Sequence, residues 1–145
     1  MSCTRKPISK DLFCAYVCLL LLIATSTSLK WSATGITVIG TGAPGTGSNQ
    51  LNAPYGLAID SLNTLFVTEQ SNNRAQMILA GSSTGSTVAG QSTGGWGTGP
   101  TYLYSPSGIV VDSGGNIYIA DAGNHRVQYW ASGGLSGTTI AGTGK

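Results

Sequence analysis

The chain contains 145 residues, of which 22 are glycine and 8% are charged, and its formal net charge at pH 7 is +2. From residue 29 onward four basic side chains and four acidic ones cancel: Lys30, Arg74, Arg126 and Lys145 against Asp60, Glu69, Asp112 and Asp121. Because a protein that binds a phosphate backbone needs clustered lysine and arginine, nucleic acid is excluded as an expected partner of this part of the chain.

Residues 1–28 are predicted to be a signal peptide or a signal anchor. Basic residues precede the apolar run Leu12–Ala24, and the small residues Ser26 and Ser28 follow it, as in a cleavable secretory signal. We therefore expect a secreted protein of the secretory pathway. Counted through Leu29, the apolar segment has about 18 residues, the lower limit for spanning a bilayer. The alternative is a single-pass membrane protein anchored by residues 12–29, with the remainder extracellular and the membrane contacted only through this segment.

All three cysteines lie in the same N-terminal segment, at Cys3, Cys14 and Cys18. A disulfide framework is common in small exported domains. The remainder of this chain cannot form one, so its stability is expected to come from packing.

Residues 29–50 combine a short β-branched run, Thr37–Ile39, with a glycine-rich loop. The run is predicted to be a strand. Gly40 to Gly45 match the spacing G-x-G-x-x-G of dinucleotide-binding loops. That motif binds a pyrophosphate only where the loop opens a helix, whereas Pro54 and another strand pattern follow here. We expect no nucleotide site and no cofactor.

The rest of the chain contains one pattern twice, displaced by 52 residues. Short β-type runs alternate with clusters of Gly, Asn, Asp and Ser that favour tight turns. The predicted strands are Leu57–Ile59, Leu65–Val67 and Ser86–Ala89 in the first copy, and Ile109–Val111, Ile117–Ala120, Arg126–Trp130 and Thr138–Ala141 in the second. The identical positions include Pro54/Pro106, Gly56/Gly108, Asp60/Asp112, Asn72/Asn124, Arg74/Arg126 and Gln76/Gln128.

Three segments of the second copy carry a family resemblance. They read Pro106-Ser-Gly-Ile-Val-Val-Asp, Asn116-Ile-Tyr-Ile-Ala-Asp and Gly123-Asn-His-Arg-Val-Gln, and they resemble the NHL repeat. The resemblance implies a β-propeller, in which each repeat forms one blade of four antiparallel strands. The implied fold is all-β, with two blades plus one extra strand, preceded by an N-terminal hydrophobic helix.

The resemblance also divides the chain into regions. Residues 29–50 would be the fourth strand of a preceding blade and a glycine-rich loop, 51–90 the first blade, 91–102 a glycine-rich linker loop and 103–145 the second blade. Propellers close with about four to eight blades, so two blades predict an incomplete propeller with exposed apolar outer faces. We expect a truncated chain or a homo-oligomer that completes the ring.

The repeat separates scaffold candidates from site candidates. Positions identical in both copies are expected to serve the scaffold, and Asp60 and Asp112 are the predicted ion-pair partners of Arg74 and Arg126. Positions that differ are where a binding site is expected. They include Trp96 and Tyr102 in the linker loop, Tyr104 just after it, and His125, the one histidine of the chain.

These residues favour binding over catalysis. A single histidine cannot supply the roughly three protein ligands of a catalytic zinc site, so we predict no metal site and no catalytic residue. The expected function is an exported, non-catalytic binding or interaction scaffold for a protein, peptide or glycan. The alternative is a fragment of a secreted propeller enzyme resembling peptidyl-hydroxyglycine amidating lyase.

Overall fold

The computed structural model describes residues 32–144. The chain divides into two units, Met1–Ile36 and Thr37–Lys145, and the described strands all belong to the second unit. The predicted signal segment and its hydrophobic helix lie outside the described residues. Between residues 32 and 144, no helix has the length and apolar character needed to cross a membrane.

The second unit is all-β and contains two four-stranded antiparallel sheets, in which each strand pairs with the next one along the chain. We call the first sheet blade 1 and the second blade 2. Blade 1 consists of β1 (Pro54–Ile59), β2 (Leu65–Glu69), β3 (Arg74–Ile78) and β4 (Ser86–Gly90). Blade 2 consists of β5 (Ile109–Val111), β6 (Ile117–Asp121), β7 (Arg126–Trp130) and β8 (Gly137–Gly142), with a single 3-10 turn at Ala122–Asn124.

The two blades repeat one another in register. Glu69 at the end of β2 lies opposite Arg74 at the start of β3, and Asp121 lies opposite Arg126 in the same way in blade 2. A bulge interrupts the pairing of the third strand with the fourth at equivalent residues of both blades. The predicted repeat is thus confirmed in the pairing of the strands.

Asp60 and Asp112 close the turns between the first and second strand of each blade. Each carboxylate accepts hydrogen bonds from the backbone N–H groups two and four residues later, at 2.8 to 2.9 Å. This is the ordinary use of aspartate in a turn. The hypothesis that these aspartates pair with Arg74 and Arg126 is wrong, because both arginines bond to carboxylates at the other end of the sheet.

The apolar core lies between the two blades, because side chains alternate between the faces of a strand and one face of each sheet meets the other. Blade 2 and the segment before it contribute the larger share. The buried members are Phe66, Ala75, Ala89, Leu103, Ile109, Ile117, Ile119 and Trp130.

A close backbone contact joins the blades beside the core. Gly56 of β1 lies against the carbonyl oxygen of Ser107, and a Cβ atom at Gly56 would overlap that oxygen. The hydroxyl of Thr68 accepts a hydrogen bond from the Gly56 N–H at 2.8 Å and donates one to the Ser107 carbonyl. Position 56 therefore requires glycine, because there is no room for a Cβ atom.

Several apolar side chains on the outer sheet faces are exposed, as predicted, although Val67 and Ile78 on the outer face of blade 1 are buried. Leu57 and Ile59 on blade 1 are 67% and 61% exposed, and Val110 and Ile140 on blade 2 are 61% and 53% exposed. Only one face of each sheet is covered by the other blade.

The extra strand predicted at Thr37–Ile39 is not formed. Val38 and Ile39 lie in bends. A β-strand exists through hydrogen bonds to a neighbouring strand, and no strand of the described region pairs with these residues. The β-branched run therefore has the composition of a strand without the partner that it needs.

Candidate binding face

Asp121 is the centre of a buried hydrogen-bond network in blade 2. Its side chain is fully buried and forms an ion pair with Arg126, with 2.8 Å between Oδ2 and Nε. The same oxygen accepts a hydrogen bond from Asn124 Nδ2 at 2.8 Å, and the other carboxylate oxygen accepts one from the Tyr104 backbone N–H at 2.7 Å. We call Asp121, Asn124 and Arg126 the ion-pair network of blade 2.

This network fixes the backbone of the linker loop that precedes blade 2. Arg126 directs its two terminal nitrogens at three carbonyl oxygens of the loop, and Asn124 directs its amide at a fourth. The acceptors are Thr98 at 2.7 Å, Gly99 at 3.1 Å, Tyr102 at 3.1 Å and Gly97 at 2.8 Å. The charge of Arg126 is thus satisfied by Asp121 and by the loop together, as a buried ion pair requires.

Blade 1 contains the same network 52 residues earlier. Arg74 Nε lies 2.7 Å from Glu69 Oε1, and Asn72 Nδ2 donates to Glu69 Oε2 at 2.6 Å. Arg74 and Asn72 again bond to carbonyl oxygens of the preceding loop, at Thr46, Gly47, Gln50 and Gly45. Since both blades have it, the network belongs to the scaffold.

The carboxylates Glu69 and Asp121 were not among the residues expected from the sequence. The scaffold candidates were identical residues, and these two differ by one methylene group. The sequence does contain a pattern that identifies them. Both residues are acidic, both end the second strand of their blade, and both stand five residues before the arginine.

The loop of blade 2 carries aromatic side chains that the loop of blade 1 lacks. Trp96 packs on Tyr104 with 5.0 Å between ring centroids and a 34° tilt, and the two side chains are 64% and 42% exposed. Residues 44 and 52, the equivalents in blade 1, are proline and asparagine. We call Trp96, Tyr102 and Tyr104 the aromatic patch.

Both tyrosines of the aromatic patch rest on glycines. The Tyr104 ring lies over Gly123 in the turn after β6, so closely that a Cβ atom there would overlap the ring. Tyr102 lies over Gly97 in the same manner, and a Cβ atom at position 97 would lie 2.9 Å from the Tyr102 Cγ. Tyr104 is further fixed by its backbone bond to Asp121. The ion-pair network and the aromatic patch are therefore in direct contact.

His125 is an exposed turn residue. It follows the 3-10 turn with a left-handed φ of 52°, and its counterpart Asn73 has a φ of 49°. Asn73 is buried and connects the blades, since its side chain accepts a hydrogen bond from the Ser105 N–H at 2.9 Å and donates one to Gly94 O at 3.1 Å. Asn73 was not expected from the sequence, because it differs from His125.

No metal-binding cluster is found in the described part of the chain. Between residues 32 and 144, no group of three or more His, Cys, Asp and Glu side chains is suited to a metal ion.

The second blade matches a known repeat family. The family model described as NHL repeat matches residues 103–129. This segment is an NHL repeat. It covers the segment that leads into β5, then β5, β6 and most of β7, so the NHL repeat contains the ion-pair network and Tyr104.

Several solved structures resemble the two blades. A streptogramin B lyase has 14% identity and a TM-score of 0.44, with 68% of this chain and 28% of that chain covered. Virginiamycin B lyase from Staphylococcus aureus has 18% identity, a TM-score of 0.41 and the same coverage. PQQ-bound aldose sugar dehydrogenase from Streptomyces coelicolor has 18% identity and a TM-score of 0.44, with 73% and 33% covered.

The chain thus spans 28% to 33% of the length of these structures. No curated protein matches the sequence.

Proposed function

We propose that this chain is an exported, non-catalytic binding module in which the aromatic patch beside the NHL repeat takes a protein, peptide or glycan. The observation that carries the proposal is the exposed contact of the Trp96 ring with the Tyr104 ring. Its supporting loop is fixed by the buried ion-pair network. Blade 1 has the network without the aromatic pair, so the pair is an addition to the scaffold.

An exposed aromatic pair on a fixed loop is suited to binding. Tryptophan and tyrosine bury a large apolar area on binding, and a tyrosine hydroxyl or indole N–H at the edge can hydrogen-bond. Such residues dominate the energy of binding surfaces. Because the network already holds the loop, little conformational freedom is lost when a ligand binds. Sugar rings and apolar peptide side chains both present the flat apolar surface that this patch can cover.

Export is part of the proposal and is tested separately. In a secreting cell, the protein is expected to enter the lumen, with Leu29 near the new N-terminus if residues 1–28 are cleaved. N-terminal sequencing of the recovered protein distinguishes cleavage from anchoring. Recovery of the intact Met1 form from the cytosol would contradict export.

Binding is tested on arrays of extracellular oligosaccharides and of peptides. The purified chain is expected to bind selected oligosaccharides or peptides on one of the arrays. Trp96→Ala is expected to bind none of them. Zinc content is measured on the same preparation. Stoichiometric zinc together with no array binding would contradict the binding module. It would favour the alternative, a fragment of a secreted propeller enzyme resembling peptidyl-hydroxyglycine amidating lyase.

A further inference from the structure

Equivalent positions of the two blades differ in burial, and the difference shows which faces are open. Ile109 on β5 is 6% exposed because it lies against blade 1, whereas its equivalent on β1, Leu57, is 67% exposed. On the opposite face, Ala89 of blade 1 is 1% exposed and its equivalent Ala141 is exposed. In each blade we call the face that carries Leu57 or Ile109 the leading face, and the face that carries Ala89 or Ala141 the trailing face. Among residues 32–144, no blade covers the leading face of blade 1 or the trailing face of blade 2.

The contact between the blades shows what kind of surface covers a leading face. Ala58, Phe66 and Met77 lie on the trailing face of blade 1 and belong to the core that encloses Ile109. Strand pairing places their equivalents, Val110, Tyr118 and Tyr129, together on the trailing face of blade 2. The rings of Tyr118 and Tyr129 contact each other there, with 5.3 Å between their centroids and a 58° angle between their planes. The trailing face of blade 2 thus presents Val110 and two tyrosine rings, and it is built on the same plan as the surface that covers Ile109.

We propose that a second copy of this chain covers each open face, with the trailing face of its blade 2 packed on the leading face of blade 1. The contact continues the interface already present between the blades, with Leu57 in the place of Ile109. The contact is heterologous, because it joins two different faces. Repeating it from copy to copy closes a ring where the rotation between neighbouring copies permits. With two blades per copy and about four to eight blades per propeller, a ring holds two to four copies.

The side chains on both faces suit this contact. Leu57, Ile59, Val110 and Ile140 are apolar and at least half exposed, so their burial costs no desolvation of charge and gains free energy in proportion to area. A large exposed apolar surface of this kind is typical of an interaction site.

One feature makes the contact between copies weaker than the contact between the blades. Thr68, which donates to the Ser107 carbonyl within the chain, is replaced by Ala120 at the equivalent position of blade 2. Ala120 has no hydroxyl and cannot donate to the carbonyl of Tyr55, the equivalent of Ser107. The assembly is therefore held by apolar burial and depends on protein concentration. It does not involve the aromatic patch, so it stands independently of the proposed ligand.

Sedimentation velocity of the purified full chain over a concentration series tests the assembly. The wild type is expected to sediment as a discrete species of two to four copies. Leu57→Lys and Val110→Lys, each of which places a charge on one open face, are expected to sediment as single chains. Leu135→Lys alters an equally exposed leucine, 90% exposed in the turn between β7 and β8, and is the control that retains assembly.

Mixing the two single-face variants tests the direction of the contact. Leu57→Lys keeps an intact trailing face and Val110→Lys an intact leading face, so an equimolar mixture is expected to form a heterodimer and nothing larger. Recovery of assembly on mixing also shows that both variants are folded. A wild type that stays monomeric at all concentrations overturns the proposal. So does assembly unaffected by Leu57→Lys, which would reveal association through residues 1–31 or another surface.

Discussion

Each blade contains one ion pair that is removed from solvent. In blade 2 the Asp121 carboxylate is fully buried, and every contact described for it is to a donor of the network or of the loop. Removal of one member of a buried pair leaves the other charge uncompensated, which costs far more than the net stabilisation of the pair. The network therefore makes the position of the aromatic loop dependent on a single carboxylate.

Asp121→Asn is expected to lower the free energy of unfolding by about 3–5 kcal/mol, because the Arg126 charge stays buried without its counterion. Chemical denaturation followed by circular dichroism measures the loss. Asp112→Asn is the matched control, since Asp112 is a partly exposed turn residue, and we expect a smaller loss from it. Equal losses in the two variants would contradict the role assigned to Asp121.

The turn carboxylates predict how stability depends on pH. The side-chain amide of Asn116, followed by backbone N–H groups, lowers the pKa of Asp112. The backbone N–H of Thr64 has the largest effect in lowering the pKa of Asp60. A carboxyl group with a lowered pKa stabilises the fold at pH values above its unfolded pKa of about 3.9, and that stabilisation is lost as the pH falls through the folded value.

We therefore expect the difference in free energy of unfolding between the wild type and Asp112→Asn to shrink as the pH falls from about 5 to about 2. Denaturant titrations at several pH values measure it. A difference that stays constant over this range would show that Asp112 does not stabilise the turn through its charge.

At the scale of the elements, the contact of β1 with the segment before β5 joins the blades. Gly56→Ala places a Cβ on the Ser107 carbonyl, and we expect the overlap to lower the free energy of unfolding by about 1–3 kcal/mol. Gly108→Ala is the equivalent change in blade 2, where the nearest atom is the Ala120 Cβ at 3.9 Å. Thermal unfolding at a concentration where the chain is monomeric is expected to separate the two variants.

The Gly108→Ala control has a second use at higher concentration. If a second copy covers the trailing face of blade 2, Gly108→Ala meets the backbone of that copy and weakens assembly without changing the stability of the single chain. Equal thermal unfolding midpoints for monomeric Gly56→Ala and monomeric Gly108→Ala would contradict the close contact at Gly56.

The strands were predictable because their signals are local. Ile109–Val111 and Arg126–Trp130 agree with β5 and β7 to the residue, since β-branched and aromatic runs between turn residues define them without reference to the rest of the fold. Trp96, Tyr102 and Tyr104 were candidate binding residues from the sequence, and the structure brings Trp96 and Tyr104 into contact. Their role in binding stays a prediction.

The predictions that failed depended on partners. The run Thr37–Ile39 has the composition of a strand, but pairing decides whether it becomes one. The arginine partners were misassigned because Asp60 and Asp112 are identical in both repeats, whereas Glu69 and Asp121 satisfy the same geometry with side chains of different length. An acidic residue at a fixed distance before each arginine is the sequence signal that identifies them.

At the scale of the whole molecule, the two blades share one buried interface, and within residues 32–144 no other blade covers their two outer faces. Repeat proteins bury their cores between neighbouring units, so we expect the uncovered sheet faces to pack against another blade. We expect the aromatic patch, which the buried network fixes, to bind the ligand.

The affinity of Trp96→Ala for a ligand selected on the arrays tests the proposed function most directly. We expect at least about a tenfold loss relative to the wild type, typical of an aromatic residue that dominates an interface, with an unchanged thermal unfolding midpoint because Trp96 is exposed. His125→Asn, which copies blade 1 and keeps a residue that tolerates a left-handed φ, is expected to change neither quantity. Full affinity in Trp96→Ala, or loss of affinity in His125→Asn alone, would contradict the assignment of the site to the aromatic patch.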